Sequence, residues 1–242
     1  MRYLGGKSRI AKQLVNFMSL EREPEMAWVE PFCGSCKVLS LVDGPIIAND
    51  FDQDLIELFK ALQKGYDPPS KVTKEEYLEI RANKEDYPAE LKGFVKHAVT
   101  FGGLKWGPYA KDNKQRNYAE ESRRSVLKLA KLIKDVEFHS GSYEELLIPK
   151  RSLIYCDPPY INTAKDKYNV KFDHEKFYAW CREKAAEGHL VFVSEYQAPN
   201  DFVCVWEKDV HVSVGQIHTD MRSKKEKLFR VHKKQEFKLI TY

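Results

Sequence analysis

No apolar run in this 242-residue chain approaches the roughly eighteen consecutive apolar residues that a membrane-spanning helix requires. The opening stretch MRYLGGKSRI lacks the apolar centre of a secretory leader, so a cytoplasmic protein without a membrane partner is expected. Cysteine is scarce too. The five residues Cys33, Cys36, Cys156, Cys181 and Cys204 are odd in number and do not suit a disulfide framework in that setting. Cys33-x-x-Cys36 has no second CxxC to complete a zinc site, and the histidines fall at no ligand spacing, so no metal is expected. Internal repeats, low-complexity tracts and Pro/Ser-rich linkers are all absent. A formal charge of +4 is too small to demand a nucleic-acid partner, although it permits one.

What is present is an alternation of short apolar runs with amphipathic stretches. MAWVEPF, PIIAND, VEFHS, SLIYC and HLVFVSEY read as strands. RIAKQLVNFMSL, DQDLIELFKALQKG, a segment opened by the capping box Thr73-Lys74-Glu75-Glu76, a stretch after Pro88 and a basic stretch from about 119 to 134 read as helices. Asp173 is placed to cap a further helix that ends before Gly188. The tail holds three alternating segments, FVCVW, VHVSV and KLFRVH, expected as antiparallel strands at one sheet edge. The pattern predicts an α/β sheet flanked by helices, formed by residues 1–65 and 135–242, with a mostly helical insertion at 66–134 packed against it.

One stretch carries chemistry on its face: SLIYCDPPYINT, residues 152–163. Open α/β sheets gather ligands at the carboxyl ends of their strands, and Asp157 lies just past such an end. Pro158 and Pro159 fix their own φ angles and donate no hydrogen bond, which holds the Pro158 carbonyl rigidly. A carboxylate acceptor, a carbonyl acceptor and the Tyr160 ring together suit a planar group bearing an NH2. A proline turn with a packing tyrosine is the plain structural alternative. Asp50 closes the second strand, where an acid grips ribose hydroxyls or caps the next helix.

DPPY at 157–160 resembles the signature of amino-group methyltransferases acting on nucleic-acid bases. RYLGGK at 2–7, VEPFCGSCKV at 29–38 and ANDFDQDLI at 48–56 precede it in an order similar to that of the Dam-type, D12-class DNA adenine-N6 methyltransferases. The resemblance covers most of the chain and is strongest at 1–60 and 150–200. It implies a sheet of the kind that binds S-adenosylmethionine (SAM), with 66–134 as a target-recognition domain. Cofactor contacts are implied for Tyr3, Lys7, Glu30, Phe32, Gly34, Asp50 and Asp157, with Gly5-Gly6 allowing close approach. Catalysis is implied for Asp157, Pro158 and Tyr160 acting on an adenine flipped out of duplex DNA, in a bacterial cell or phage-infected host. The family usually has a second glycine where Cys36 stands; cysteine tolerates positive φ poorly, so a different bend or weaker SAM binding is expected there. Lys105, Asn113, Arg116, Asn117, Arg123 and Arg124, with Lys111 and Lys114 among Trp106, Tyr109 and Tyr118, are expected to track DNA. A second basic set comprises Arg222, Lys224, Lys225, Lys227 and Arg230. Methylation of cytosine N4 or of RNA, a DNA-binding relative without catalysis, and redox or zinc chemistry at Cys33 and Cys36 are the alternatives.

Overall fold

A computed structural model of the protein describes residues 1, 3, 6–111, 116–160, 172–211 and 223–231. Among the described residues the strands are β1 (Trp28–Glu30), β2 (Ile46–Asp50), β3 (Glu137–Ser140), β4 (Leu153–Cys156), β5 (Leu190–Glu195), β6 (Phe202–His211) and β7 (Ser223–Val231). The α-helices are α1 (Ala11–Met18), α2 (Gln53–Gln63), α3 (Lys74–Ala82), α4 (Ala89–Ala98), α5 (Tyr118–Leu132) and α6 (His174–Ala186). The strands form one mixed sheet ordered β3-β2-β1-β4-β5-β7-β6. β2 pairs parallel with β3, β1 with β4, and β4 with β5; β7 runs antiparallel to both β5 and β6. The expected α/β sheet with antiparallel strands at one edge is the one observed. No helix among the described residues is long and apolar enough to cross a membrane.

Local sequence explains most of these elements. All four residues of β4 are buried, as a near-continuous apolar run demands when both sheet faces are covered. α2 buries Leu55, Ile56, Leu58, Phe59 and Leu62, one stripe at helical spacing, and Asp52 caps it by accepting from the Leu55 N–H at 3.3 Å. The predicted capping box at α3 is formed in both directions: Glu76 N–H donates to Thr73 Oγ1 at 3.1 Å, and Thr73 N–H donates to Glu76 Oε2 at 2.6 Å. Such reciprocal caps satisfy two helix-end donors at once.

Two compact units make up the chain: Met1–Asn16 with Glu30–Leu147, and Phe17–Val29 with Ile148–Tyr242. α3, α4 and α5, from the stretch expected as an insertion, belong to the first unit together with β2, β3 and α2. α4 lies directly on α2. Gly93 makes that approach possible, because a Cβ there would drive into the Asp54 carbonyl oxygen.

In the second unit the tail holds two described strands rather than three. FVCVW and the first residues of VHVSV run on as β6, since an edge strand accommodates the charged residues Glu207, Lys208 and Asp209 between them. The remainder of VHVSV lies outside the described residues. A register shift between Cys204 and Trp206 interrupts the β6–β7 ladder, and β6 is the outermost strand among the described residues.

Candidate active site

In the first unit, the chain leaving β1 turns back on the end of β2. Cys33 N–H donates to the Asn49 carbonyl at 2.8 Å, and the Asn49 amide donates to the Pro31 and Gly141 carbonyls at 3.0 and 3.1 Å. Asp50 closes the turn. Its Oδ2 accepts from Gly34 N–H and its Oδ1 from Asp52 N–H, each at 2.9 Å. Burial pushes the Asp50 carboxyl above its ordinary value, against these two donors, which favour the ionised form. Each oxygen keeps a second lone pair, so the group can still accept from hydroxyls.

Gly34 has φ +46°, and a Cβ on it would meet the Tyr3 ring at 3.2 Å. Cys36 stands at φ +58°, the left-handed conformation a glycine would adopt. The loop therefore keeps a glycine-like bend at this cysteine and carries the strain of it, of order 1–2 kcal/mol. Cys33 and Cys36 are both buried and hydrogen-bonded to each other, and burial pushes both thiols up, so neither is a ready nucleophile. No group of three or more His, Cys, Asp or Glu poised to hold a metal occurs among the described residues.

A cleft of about 320 Å³ opens beside this loop, lined by Met1, Tyr3, Gly6, Ser8, Ser35, Lys37 and Gly102. Tyr3, which the sequence reading names as a cofactor contact, lines this cleft, and Gly34 approaches its ring. Lys7 is buried and its carbonyl accepts from the N–H groups of Ile10 and Ala11, where α1 begins. Glu30 is buried at the end of β1, and Phe32 packs on Tyr143 at 5.2 Å. Gly5 lies outside the described residues.

Sequence reading passed over two features of this unit. Lys96 is fully buried, ion-paired to Asp52 and, at 3.2 Å, to Asp54, while Lys105 reaches Asp52 at 2.7 Å. Burial alone would raise the Asp52 carboxyl; the two ammonium groups overcome it and hold it down at about 2. The other is His97, buried with its ring 4.8 Å from that of Tyr3. Nothing local in the sequence marks either residue.

The residues expected to track DNA are largely engaged within the chain. Arg123 forms a two-pronged pair with Asp67 at 2.6 and 2.5 Å, and Arg124 pairs with Glu120 at 2.7 Å. Asn117 caps α5 through the Glu120 N–H and donates to the Ser70 carbonyl at 2.9 Å. Lys105 is held by Asp52, although its side chain remains 43% exposed. Arg116 is exposed. Trp106 and Tyr109 pack on Tyr77, at 6.1 and 5.8 Å between rings, so they serve the core of this unit. Asn113 and Lys114 lie outside the described residues, as does Arg222 of the second basic set. From that set Lys225 pairs with Glu207 at 2.8 Å, and Arg230 with Glu21 at 3.3 Å.

In the second unit, Asp157 follows β4 directly and is half-buried. Pro158 is buried, and among the described residues none donates to its carbonyl. The next carbonyl, of Pro159, accepts from His174 Nε2 at 2.9 Å, which ties the turn to the start of α6. Tyr160 is buried; its hydroxyl donates to Glu226 Oε2 at 3.0 Å, and its ring meets Tyr196 edge-on at 4.6 Å. Burial first, then the negative charges of Asp157 and Glu226, push the Tyr160 phenol well above its ordinary value. It stays a phenol.

The sequence pattern of the D12 class N6 adenine-specific DNA methyltransferases matches residues 3–127, just over half of the 242-residue chain. The chain belongs to that family. Retron Ec67 DNA adenine methylase of Escherichia coli is 25% identical over 233 residues, spanning 80% of this chain and 75% of that protein. The crystal structure of Thermoplasma acidophilum 1320 superposes over 96% of this chain and 92% of its own, with 11% identity and a TM-score of 0.45. As a D12-class enzyme the protein transfers a methyl group from SAM to the N6 amino group of adenine in DNA. The first unit of the methyltransferase fits that donor. It presents a carboxylate with spare acceptor capacity for hydroxyls, a loop with two left-handed residues and an aromatic ring bordering a cleft.

Proposed function

We propose that the methyltransferase acts on duplex DNA in the bacterial cytoplasm and swings its target adenine out of the stack, with Asp157, Pro158 and Tyr160 handling the extruded base. Reaching N6 requires extrusion because the atom is enclosed in the duplex, at a cost of a few kcal/mol. The observation that carries the reading is the acceptor pair after β4: a half-buried carboxylate, then a proline carbonyl to which no described residue donates. Asp157 and the Pro158 carbonyl accept the two N6 hydrogens, and this localises the nitrogen lone pair that conjugation with the ring otherwise disperses. The Tyr160 ring, held by Glu226 and Tyr196, supplies a fixed aromatic surface for the base.

Bound SAM supplies an electrophilic methyl on a sulfonium. Asp50 receives its ribose hydroxyls on the lone pairs left by Gly34 and Asp52, and Tyr3, Lys7, Glu30, Phe32 and Gly34 complete the donor contacts. Transfer is direct, without a covalent enzyme intermediate. The N6 lone pair takes the methyl as its bond to the sulfonium sulfur breaks, and N6 then sheds one proton by way of the Asp157 carboxylate to solvent. Orientation therefore accounts for much of the acceleration. Of the basic residues, Lys105 keeps an exposed side chain beside its Asp52 pair, and it, Arg123, Arg124 and Asn117 reach DNA phosphate by exchanging their partners within the chain.

The test uses SAM carrying a tritiated methyl group and unmethylated duplex DNA, followed by nucleoside analysis. Label is expected in N6-methyladenine; label in cytosine refutes the assignment of the base. Asp157→Ala is expected to lower transfer at least about a hundredfold, the usual scale for removing a group that meets the reacting atoms. The variant should retain its far-UV circular dichroism and its DNA affinity. Near-normal turnover in it would refute the acceptor role.

A further inference from the structure

His97 is 3% exposed, and its Nε2 is the buried side-chain polar atom left without a hydrogen-bond partner among the described residues. Nδ1 lies 2.9 Å from the Gly103 carbonyl oxygen. A carbonyl only accepts, so Nδ1 carries the proton and Nε2 is a bare acceptor. Burial, the leading influence, and the nearby Lys96 charge hold the imidazole down at about 4, against the Gly103 carbonyl and Asp52, so the ring is neutral at physiological pH. Leaving a buried acceptor bare is costly, and native structures rarely do so without a use for it.

The surroundings of the ring point to that use. Tyr3 packs on His97, with 4.8 Å between ring centres, and its ring also closely approaches Gly34 of the loop that Asp50 holds. Tyr3 also lines the cleft, as does Gly102, the neighbour of the residue to which Nδ1 donates. One imidazole therefore braces two parts of the cleft wall and has an acceptor to spare.

We propose that His97 is a positioning residue for the methyl donor: it fixes the Tyr3 ring and the Gly102–Gly103 wall, and its Nε2 accepts from an N–H or O–H group of bound SAM. SAM carries such donors at its ammonium group, its ribose and its adenine amine. The inference rests on the reading of this cleft as the donor site.

Two substitutions separate the two halves of the ring. His97→Asn keeps a donor near the position of Nδ1 and loses the distal acceptor; His97→Gln keeps an acceptor near Nε2 and loses the proximal brace. SAM binding by calorimetry and steady-state transfer to duplex DNA are the readouts, with thermal melting as the check on folding. His97→Asn should raise both the Kd and the KM for SAM about tenfold, the effect of one hydrogen bond, with an unchanged KM for DNA. His97→Gln should stay closer to the parent in SAM affinity. Wild-type SAM affinity in a folded His97→Asn protein overturns the proposal while leaving the donor cleft intact. Failure of the parent protein to bind SAM overturns the reading of the cleft instead. If the variants do not fold, the imidazole 15N resonances of the unmodified protein decide. The Nε2 signal should shift on SAM addition in the direction of hydrogen-bond acceptance, and an unmoved signal at saturating SAM refutes the contact.

Discussion

Replacing Asp52 by asparagine removes one negative charge and little else. Asparagine keeps the oxygen that accepts from Leu55 N–H at the start of α2, and it is as good a cap as aspartate. The change leaves Lys96, fully buried, with Asp54 as its carboxylate partner, and it frees Lys105. The carboxyl of Asp52 sits at about 2 against an ordinary 3.8. At about 1.4 kcal/mol per pH unit, that gap corresponds to about 2 kcal/mol of folding stability. Lys96 supplies most of it, because pairs with a chain end as exposed as that of Lys105 contribute about 0–1 kcal/mol. A group depressed in the folded state stabilises fully above its unfolded value and loses that contribution as pH falls towards the folded one. The advantage over Asp52→Asn should therefore be constant from pH 7 to 5, about half gone near pH 3, and nearly gone at pH 2. Urea denaturation followed by far-UV circular dichroism, at several pH values in this range, measures it. A gap below about 0.5 kcal/mol at pH 7, or one that does not narrow between pH 5 and pH 3, would refute the argument.

Gly93→Ala should destabilise by about 2 kcal/mol or more, although alanine ordinarily improves a helix interior by nearly 1 kcal/mol, because the added Cβ enters the Asp54 carbonyl. Thermal melting checks the sign: a raised Tm would mean that α4 and α2 are not in close contact. At position 36 the comparison lies between two variants, both lacking the thiol. With φ at +58°, Cys36→Gly should be about 1 kcal/mol more stable than Cys36→Ala, the reverse of the usual order. The Gly and Ala variants are compared by urea midpoint, and equal midpoints would argue against the left-handed conformation.

Elements governed by neighbours along the chain were legible in advance. The Thr73–Glu76 box, the Asp173 cap of α6 and the buried runs of β4 and β5 all rest on residues within a few positions of one another. The placement of Asp157 just past β4 and of Asp50 at the end of β2 follows from the same local logic. Features decided by distant pairings were not legible. Arg123 reads as a free cation until the fold brings Asp67 to it, 56 residues away. Lys96 reads as one more solvated lysine until Asp52, 44 residues away, is seen against it. His97 is marked only by a missing partner, which a sequence cannot display. Cys36 shows the converse: its identity argued for a different bend, yet the surrounding hydrogen bonds impose the glycine-like one.

The outer strand β6 has a consequence for how the protein behaves in concentrated solution. Among the described residues β6 pairs with β7 alone, and a strand so placed offers backbone groups to any other chain in extended conformation, with Val203, 49% exposed, as an apolar foothold. The irregularity between Cys204 and Trp206 breaks the regular spacing that an incoming strand would need, and Glu207, Lys208 and Asp209 then set alternating charges along the edge. A second copy of the same strand, approaching in register or antiparallel, meets like charges at some positions and a mismatched ladder at others. Both features work against pairing of this stretch with a second copy of itself.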